Sequence, residues 1–324
     1  MSDEGPVIRT MQLTRNFEDR VAVDHVDIEV YAGEVIALLG PNGAGKTTTV
    51  RLLNGVLKPT SGTIAVLGLD PVSHGNELRR RTGVMTEQAG LDERLTALDN
   101  VVAYAQLRGM RRKTAIAKSF ELLDRFEVAD RAYDSVQGFS TGQRKRVALA
   151  RSLVHDPDVL FLDEPTSGLD PEATRVVLDL IGSLARDRGR TVILCTHFLA
   201  EANRLCKRMA VMQQGKLLAI GEPAELATRY WDGLEVEIVL QHDADLRMLT
   251  GIRDLSSVRT VNAAGTEMTA RVESERDVPE LVSRLVQLGA LVVSVRPRQP
   301  TLEQVYFAVT GHDEARRRSN EASA

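Results

Sequence analysis

The residues with the clearest chemistry form one short run. Gly40-Pro41-Asn42-Gly43-Ala44-Gly45-Lys46-Thr47 fits the pattern GxxxxGK[ST] at every fixed position. It follows an apolar β-branched run, Val35 to Leu39, and Thr48 opens a helical pattern, TTVRLLNGVL. Each residue type has a task in that setting. Glycines let consecutive backbone N–H groups turn inward around an anion, a bend that a Cβ obstructs. The helix that starts beside them aims its positive end at the same anion. Lys46 is expected to reach the β- and γ-phosphates of a nucleoside triphosphate, and the Thr47 hydroxyl to ligate Mg²⁺. The bland alternative is a glycine-rich turn that only caps a helix.

Such a loop needs an acidic group at the end of a neighbouring strand to hold the metal. Val159-Leu160-Phe161-Leu162-Asp163-Glu164 supplies two. Asp163 is expected to accept from the metal's hydration shell. Glu164, which faces the other way if strand geometry persists, is expected to polarise water for attack on the γ-phosphate. The competing explanation is a solvated acidic pair before Pro165. Ser167-Gly168-Leu169-Asp170 then makes a tight polar turn, and His197 ends the run TVILCT, where it is expected to donate to the γ-phosphate.

The elements that must position these groups follow from the pattern. The runs Val35 to Leu39, Val159 to Leu162 and Thr191 to Cys195 read as strands buried on both faces, each followed by a polar loop. That is where α/β sheets bind their ligands. From about residue 92 to 155 the pattern turns helical, with helices expected at Thr96 to Arg108, Lys113 to Phe126 and Gly142 to His155. Beyond Tyr230 the sequence changes character: Leu234 to Leu240 alternates like a strand, Val278 to Leu288 fits a helix, and Leu291 to Val295 fits another strand. The expected domains are 1–229, with a helical subdomain at about 92–155, then a small α+β domain at 230–311 and a disordered tail at 312–324.

With these pieces in order, the chain resembles the ATP-binding-cassette ATPases over roughly residues 7 to 225. The discriminating piece is Phe139-Ser140-Thr141-Gly142-Gln143, followed by RKRVALARSLVHDP, which resembles that family's LSGGQ signature and its helix. Taken alone, Ser140 is simply a helix N-cap. The resemblance implies an α/β fold: a P-loop NTPase core with a mixed sheet flanked by helices and a helical subdomain, plus the small C-terminal α+β domain. It implies ATP hydrolysis with Mg²⁺. It also implies that two cassettes meet head to tail, each ATP lying between Lys46 of one and the signature residues Ser140, Thr141, Gly142 and Gln143 of the other.

By position, Phe17 is expected to stack on adenine; otherwise it belongs to the core of an early hairpin. Asp170 resembles the D-loop and His197 the switch histidine. Where the family has a Gln that senses metal and water, Glu87 stands instead, followed by Gln88, and the resemblance leaves open which of the two serves. The end of the chain, Pro300 to Gly311, resembles cassettes of the daunorubicin-resistance type, which power export through a separately encoded membrane subunit.

Composition sets the remaining bounds. The 324 residues carry 41 basic and 45 acidic side chains, a net charge of -4, which argues against nucleic acid as a partner. The two cysteines, Cys195 and Cys206, build neither a disulfide framework nor a zinc site. No stretch approaches the roughly 18 apolar residues that span a bilayer. The expected location is the cytoplasmic face of the membrane, on an integral permease that supplies the transport path. The partners expected are that permease and a second copy of this chain or a homologous ATPase subunit. A soluble cassette protein acting elsewhere, or a nucleotide-binding regulator, is the other class. The clusters Arg79 to Arg81, Arg111 to Lys113 and Arg316 to Arg318 read first as solvated surface.

Overall fold

The structure is a computed structural model. It describes residues 5–230, 233–298 and 300–321, and their side chains except at 185–188 and 312–321. The chain divides into two compact units, Met1–Gly221 and Glu222–Ala324.

The first unit begins with strands β1 (Ile8–Phe17), β2 (Arg20–Val26), β3 (Glu29–Val30) and β4 (Val35–Leu39). Helix α1 (Lys46–Leu53), β5 (Ser61–Val66), α2 (Gly75–Arg81) and β6 (Thr82–Met85) follow. Three helices come next, α3 (Ala97–Leu107), α4 (Arg112–Arg125) and α5 (Thr141–Leu153), with no strand among the described residues until β7 (Val159–Asp163). The unit closes with α6 (Pro171–Arg188), β8 (Thr191–Thr196), α7 (Leu199–Leu205), β9 (Arg208–Gln213) and β10 (Lys216–Gly221).

The central sheet runs in the order β10-β9-β4-β8-β7-β6. All neighbours pair in parallel except the β9–β10 hairpin, so the sheet is mixed. Strands β1, β2, β3 and β5 form a second, antiparallel sheet. The period-2 geometry of a strand explains how one sheet serves two cores. Along β7, Leu160 and Leu162 face a core built largely from α3, α4, α5 and α6. Val159 and Phe161 face the opposite core, shared with α1 and the antiparallel sheet. A strand buried on both sides has no room for polar residues until it ends, which is why the acids come only at Asp163 and Glu164.

The boundary between units lies at Gly221, earlier than the expected 229. The helix α8 (Pro223–Tyr230) packs against the last helix, α11 (Leu302–Glu321), and so belongs with the second unit. Between them run β11 (Leu234–Leu240), α9 (Leu246–Arg253), β12 (Val258–Ala264), β13 (Glu267–Val272), α10 (Val278–Gln287) and β14 (Val292–Arg298). Their sheet order, β12-β13-β11-β14, with a helix in each crossover, is the ferredoxin-like split βαβ arrangement. Alternate residues of β11, Val236, Ile238 and Leu240, are buried with Leu281 and Leu285 of α10. Among the described side chains of α11, Leu302, Val305 and Val309 are the buried ones. The tail expected to be disordered at 312–324 is helical backbone as far as Glu321, the end of α11, and residues 322–324 lie outside those described.

Candidate functional site

The loop from Gly40 to Gly45 joins the end of β4 to α1, whose first residues are Lys46 and Thr47. Its glycines are dictated by the local geometry. A Cβ on Gly40 would lie 2.3 Å from the Met212 carbonyl oxygen, and one on Gly45 would lie 2.5 Å from that of Ala22. Gly43 and Gly45 also have φ of +82° and +105°, conformations that side chains resist. The loop therefore threads between β9 and β2 with its backbone alone.

Beside it opens a cleft of about 520 Å³, within the range that small-molecule sites occupy. The loop residues Asn42 to Thr47, together with Thr48, form one wall, and Phe17, Arg20, Ala22, Glu87 and Glu164 complete the lining. Lys46 is only 6% exposed. Its ammonium donates to the carbonyl oxygens of Gly40 at 2.6 Å and Pro41 at 3.3 Å, and lies 3.5 Å from Glu164 Oε1.

Asp163 is the last residue of β7, paired with Cys195 of β8. The Thr47 hydroxyl donates to its Oδ2 at 2.7 Å, tying the first turn of α1 to the end of β7, which lies beyond β8 from β4 in the sheet. Its Oδ1 is buried with no partner. Burial pushes the carboxyl of Asp163 above the usual range, against the pull of the Thr47 hydrogen bond. A hydroxyl and a half-satisfied carboxylate are hard oxygen donors of the kind Mg²⁺ takes while keeping water and phosphate as its other ligands. Among the described residues no group of three His, Cys, Asp or Glu could cage a metal unaided. The residues present thus fit an ion delivered with a phosphate ligand.

Glu164 requires a correction. Strand geometry would send it to the face opposite Asp163, but β7 stops at Asp163 and Glu164 takes φ +48° in the left-handed region. That turn brings its carboxylate back into the cleft. His197, just past β8, has Nδ1 2.9 Å from Glu164 Oε2. The buried carboxylate of Glu164 is therefore held between Lys46 and His197. The histidine engages it rather than standing free toward the cleft.

Phe17 is 40% exposed at the end of β1 and forms part of the cleft wall, not of a core. The Arg15 guanidinium lies 4.5 Å from its ring centroid, within cation–π range. Of the neighbours Glu87 and Gln88, Glu87 lines this cleft, and both line an adjoining groove. Asp170 caps α6, accepting from the Ala173 N–H at 2.8 Å.

Ser140 caps α5 in a full capping box. Its hydroxyl accepts from the Gln143 N–H at 3.2 Å, and Gln143 Oε1 accepts from the Ser140 N–H at 3.0 Å. Gly142 packs against α6, where a Cβ would meet that of Ala173 at 3.2 Å. None of Ser140, Thr141, Gly142 or Gln143 lines the cleft of its own loop. The first turn of α5 instead exposes Ser140 and Thr141.

Two buried groups escaped the sequence reading. Lys145, 3% exposed, donates to the carbonyl oxygens of Glu87 and, at 3.0 Å, Glu164. Burial pulls its pKa below the usual lysine value, against the nearby carboxylates of Glu87 and Glu164. A signal existed: Gly142, Lys145, Leu149 and Ser152 fall on one buried helical stripe, so a lysine there cannot be an ordinary surface residue. Glu201 of α7 accepts from the hydroxyls of Thr166 and, at 2.9 Å, Thr196. It thereby joins the turn after Glu164 to the end of β8, just before His197. Burial pushes the Glu201 carboxyl up. No local pattern announces it, because Thr196 lies in a different element and Thr166 is 35 residues away.

Several known proteins resemble this chain. Residues 23–167 match the ABC transporter family model. The chain is 37% identical over 310 residues to the daunorubicin resistance ATP-binding protein DrrA3 of Streptomyces coeruleorubidus, covering 95% of this chain and 96% of that protein. It is 40% identical over 303 residues to the Nod factor export ATP-binding protein I of Burkholderia thailandensis, covering 93% and 96%. Among solved structures, the dimeric post-hydrolysis state of the ATP-binding cassette MJ0796, bound to ADP and Pi, matches at a TM-score of 0.60 and 25% identity. That match covers 66% of this chain and 98% of the other. The phosphate loop, the paired carboxylates and the capped signature helix thus sit in a chain that belongs, over nearly its whole length, to the ABC transporter ATPases of the daunorubicin-resistance type.

Proposed function

We propose that this chain is the ATP-hydrolysing subunit of an exporter, working as a pair and driving a separate integral membrane subunit from the cytoplasmic face. The observation that carries the hydrolytic part is the meeting of Lys46 and Glu164 in one cleft, with Asp163 bound to the Thr47 that lines it, beside a loop that needs glycine at positions 40, 43 and 45. In this reading the N–H groups of the loop and the first turn of α1 cradle the triphosphate, and Phe17 stacks on the adenine. Lys46 neutralises charge on the β- and γ-phosphates. Glu164, oriented through its second oxygen by His197, accepts a proton as water attacks the γ-phosphorus and the bond to the β-phosphate oxygen breaks, leaving ADP and phosphate. Thr47 and Asp163 would hold Mg²⁺, with Glu87 accepting from its water, and the metal would supply charge neutralisation at the phosphates.

The signature residues Ser140 to Gln143 lie outside their own cleft, and the exposure of Ser140 and Thr141 supports their contact with a nucleotide held by a second copy. ATP then joins two subunits, and loss of the γ-phosphate loosens them. Among the described residues no helix is long and apolar enough to cross a membrane, in keeping with a path supplied by another polypeptide. The whole-length relatives named for daunorubicin resistance and Nod factor export support export as the direction, with a drug or antibiotic as the cargo. The C-terminal unit is assigned to steadying the dimer or adjusting its opening.

The test is Glu164→Gln, which keeps shape and removes the proton acceptor. Turnover should fall by about 10²- to 10⁴-fold, the usual contribution of a general base. ATP should then hold two copies together in sedimentation analysis. An inert parent chain, together with a variant that neither retains ATP nor pairs, would defeat the proposal.

A further inference from the structure

Lys145 is buried where α5, the Glu87 loop and the turn after β7 meet. A buried ammonium requires partners, and here they are two main-chain carbonyls, those of Glu87 and Glu164. The side chains of these same two residues line the nucleotide cleft. One cation on a third element therefore sets the spacing between them.

Two further observations give this contact weight. Glu164 sits in the left-handed region, which a non-glycine residue keeps only when its surroundings hold it there. Its backbone has three ties: its N–H donates to the Cys195 carbonyl at 2.9 Å, and its carbonyl accepts from the Ser167 N–H at 3.2 Å and from Lys145 at 3.0 Å. Lys145 provides the one tie that comes from the helical subdomain. Arg151, farther along α5, donates to the carbonyls of Gly90 at 2.6 Å and Ala89 at 2.8 Å. The Glu87–Gly90 backbone is thus fastened to α5, the helix whose first turn is the Ser140–Gln143 capping box.

We infer that Lys145 is a positioning residue for hydrolysis, fixing the Glu164 turn and the Glu87 loop to α5 so that engagement of the Ser140 end of that helix is felt at the carboxylate beside the γ-phosphate. The inference rests on the hydrolytic reading above, and one arm of its test does not.

That test uses the full chain with Lys145→Met, which keeps length and burial but has no donor, and Lys145→Gln, which restores two N–H donors without charge. In the nucleotide-free chain, amide exchange over residues 164–169 and 86–91 should rise in Lys145→Met and return toward the parent in Lys145→Gln. With ATP and Mg²⁺, Lys145→Met should lower kcat by about 10- to 100-fold, the scale of an ångström-sized misplacement, with KM within about twofold. Lys145→Gln should recover most of that loss. On a Glu164→Gln background, Lys145→Met should lower the residual rate by less than about twofold, because two residues acting through one function do not add. Unchanged exchange in Lys145→Met overturns the inference whether or not the chain hydrolyses ATP. So does a kcat equal to the parent's, a loss carried in KM, or a full multiplicative loss on the Glu164→Gln background.

Discussion

Asp163→Asn should make the nucleotide-free protein more stable and the nucleotide-bound protein inactive. The Asp163 carboxylate is 4% exposed, with one oxygen bound by Thr47 and the other facing no partner. Glu164 and Glu87 press its carboxyl further up, and Lys46 offsets them in part. A buried polar group without its partner costs about 1–3 kcal/mol, and more when charged. The amide keeps an acceptor for Thr47 and sheds the charge, so about 1–2 kcal/mol should be regained. For a unit of this size that corresponds to a rise in Tm of about 2–8 °C in EDTA. The same variant should lose the further rise that ATP with Mg²⁺ gives the parent, since the ion would no longer have its carboxylate, and turnover should fall at least about 100-fold. Differential scanning calorimetry in EDTA and in ATP with Mg²⁺, beside a phosphate-release assay, measures all three. A variant that melts below the parent in EDTA would refute the view that this carboxylate is kept at a cost to the fold for the sake of a ligand.

The remaining predictions are shorter. Asp163 and Glu201 both have folded-state pKa values raised by burial, so their penalty is present above those values and vanishes as pH falls toward the unfolded values near 4. Their contribution should therefore raise stability as a nucleotide-free sample is taken down through the raised folded-state values toward the unfolded ones; Asp163→Asn combined with Glu201→Gln should flatten that rise in a melting series, and an unchanged slope would contradict the assignment. Phe17→Ala should weaken ATP binding by about 1–2 kcal/mol through lost stacking, read as a Kd about 5- to 30-fold higher by calorimetry with kcat at saturation little changed. An unaltered Kd would remove Phe17 from the base site.

The local chemistry of this protein was written in its sequence because its key groups are contiguous. Residues 40–47, the pair Asp163-Glu164 and the run Phe139 to Gln143 each lie at the end of an element whose apolar pattern is plain, so their placement at the ends of β4 and β7 and the start of α5 follows from sheet and helix periodicity. The six-stranded order was not legible, since β6, of four residues, and the β9–β10 hairpin carry no signal of which neighbour they join. In the C-terminal unit, β12 and β13 were missed for a related reason: short strands with one solvent face, VRTVNAA and EMTARV, resemble loops until pairing fixes them.

What tertiary structure alone decided is the set of contacts between groups far apart in the chain. Glu164 turns inward because β7 ends one residue earlier and its backbone is held by Cys195, Ser167 and Lys145. Glu87, and not Gln88, lines the cleft, in a loop whose carbonyls at Glu87, Ala89 and Gly90 are held by Lys145 and Arg151 of α5. Glu201 joins Thr166, in the turn after β7, to Thr196 at the end of β8. Residue type and spacing state which atoms could do chemistry, but only packing removes water from around them and brings a lysine from one subdomain to a carbonyl of another.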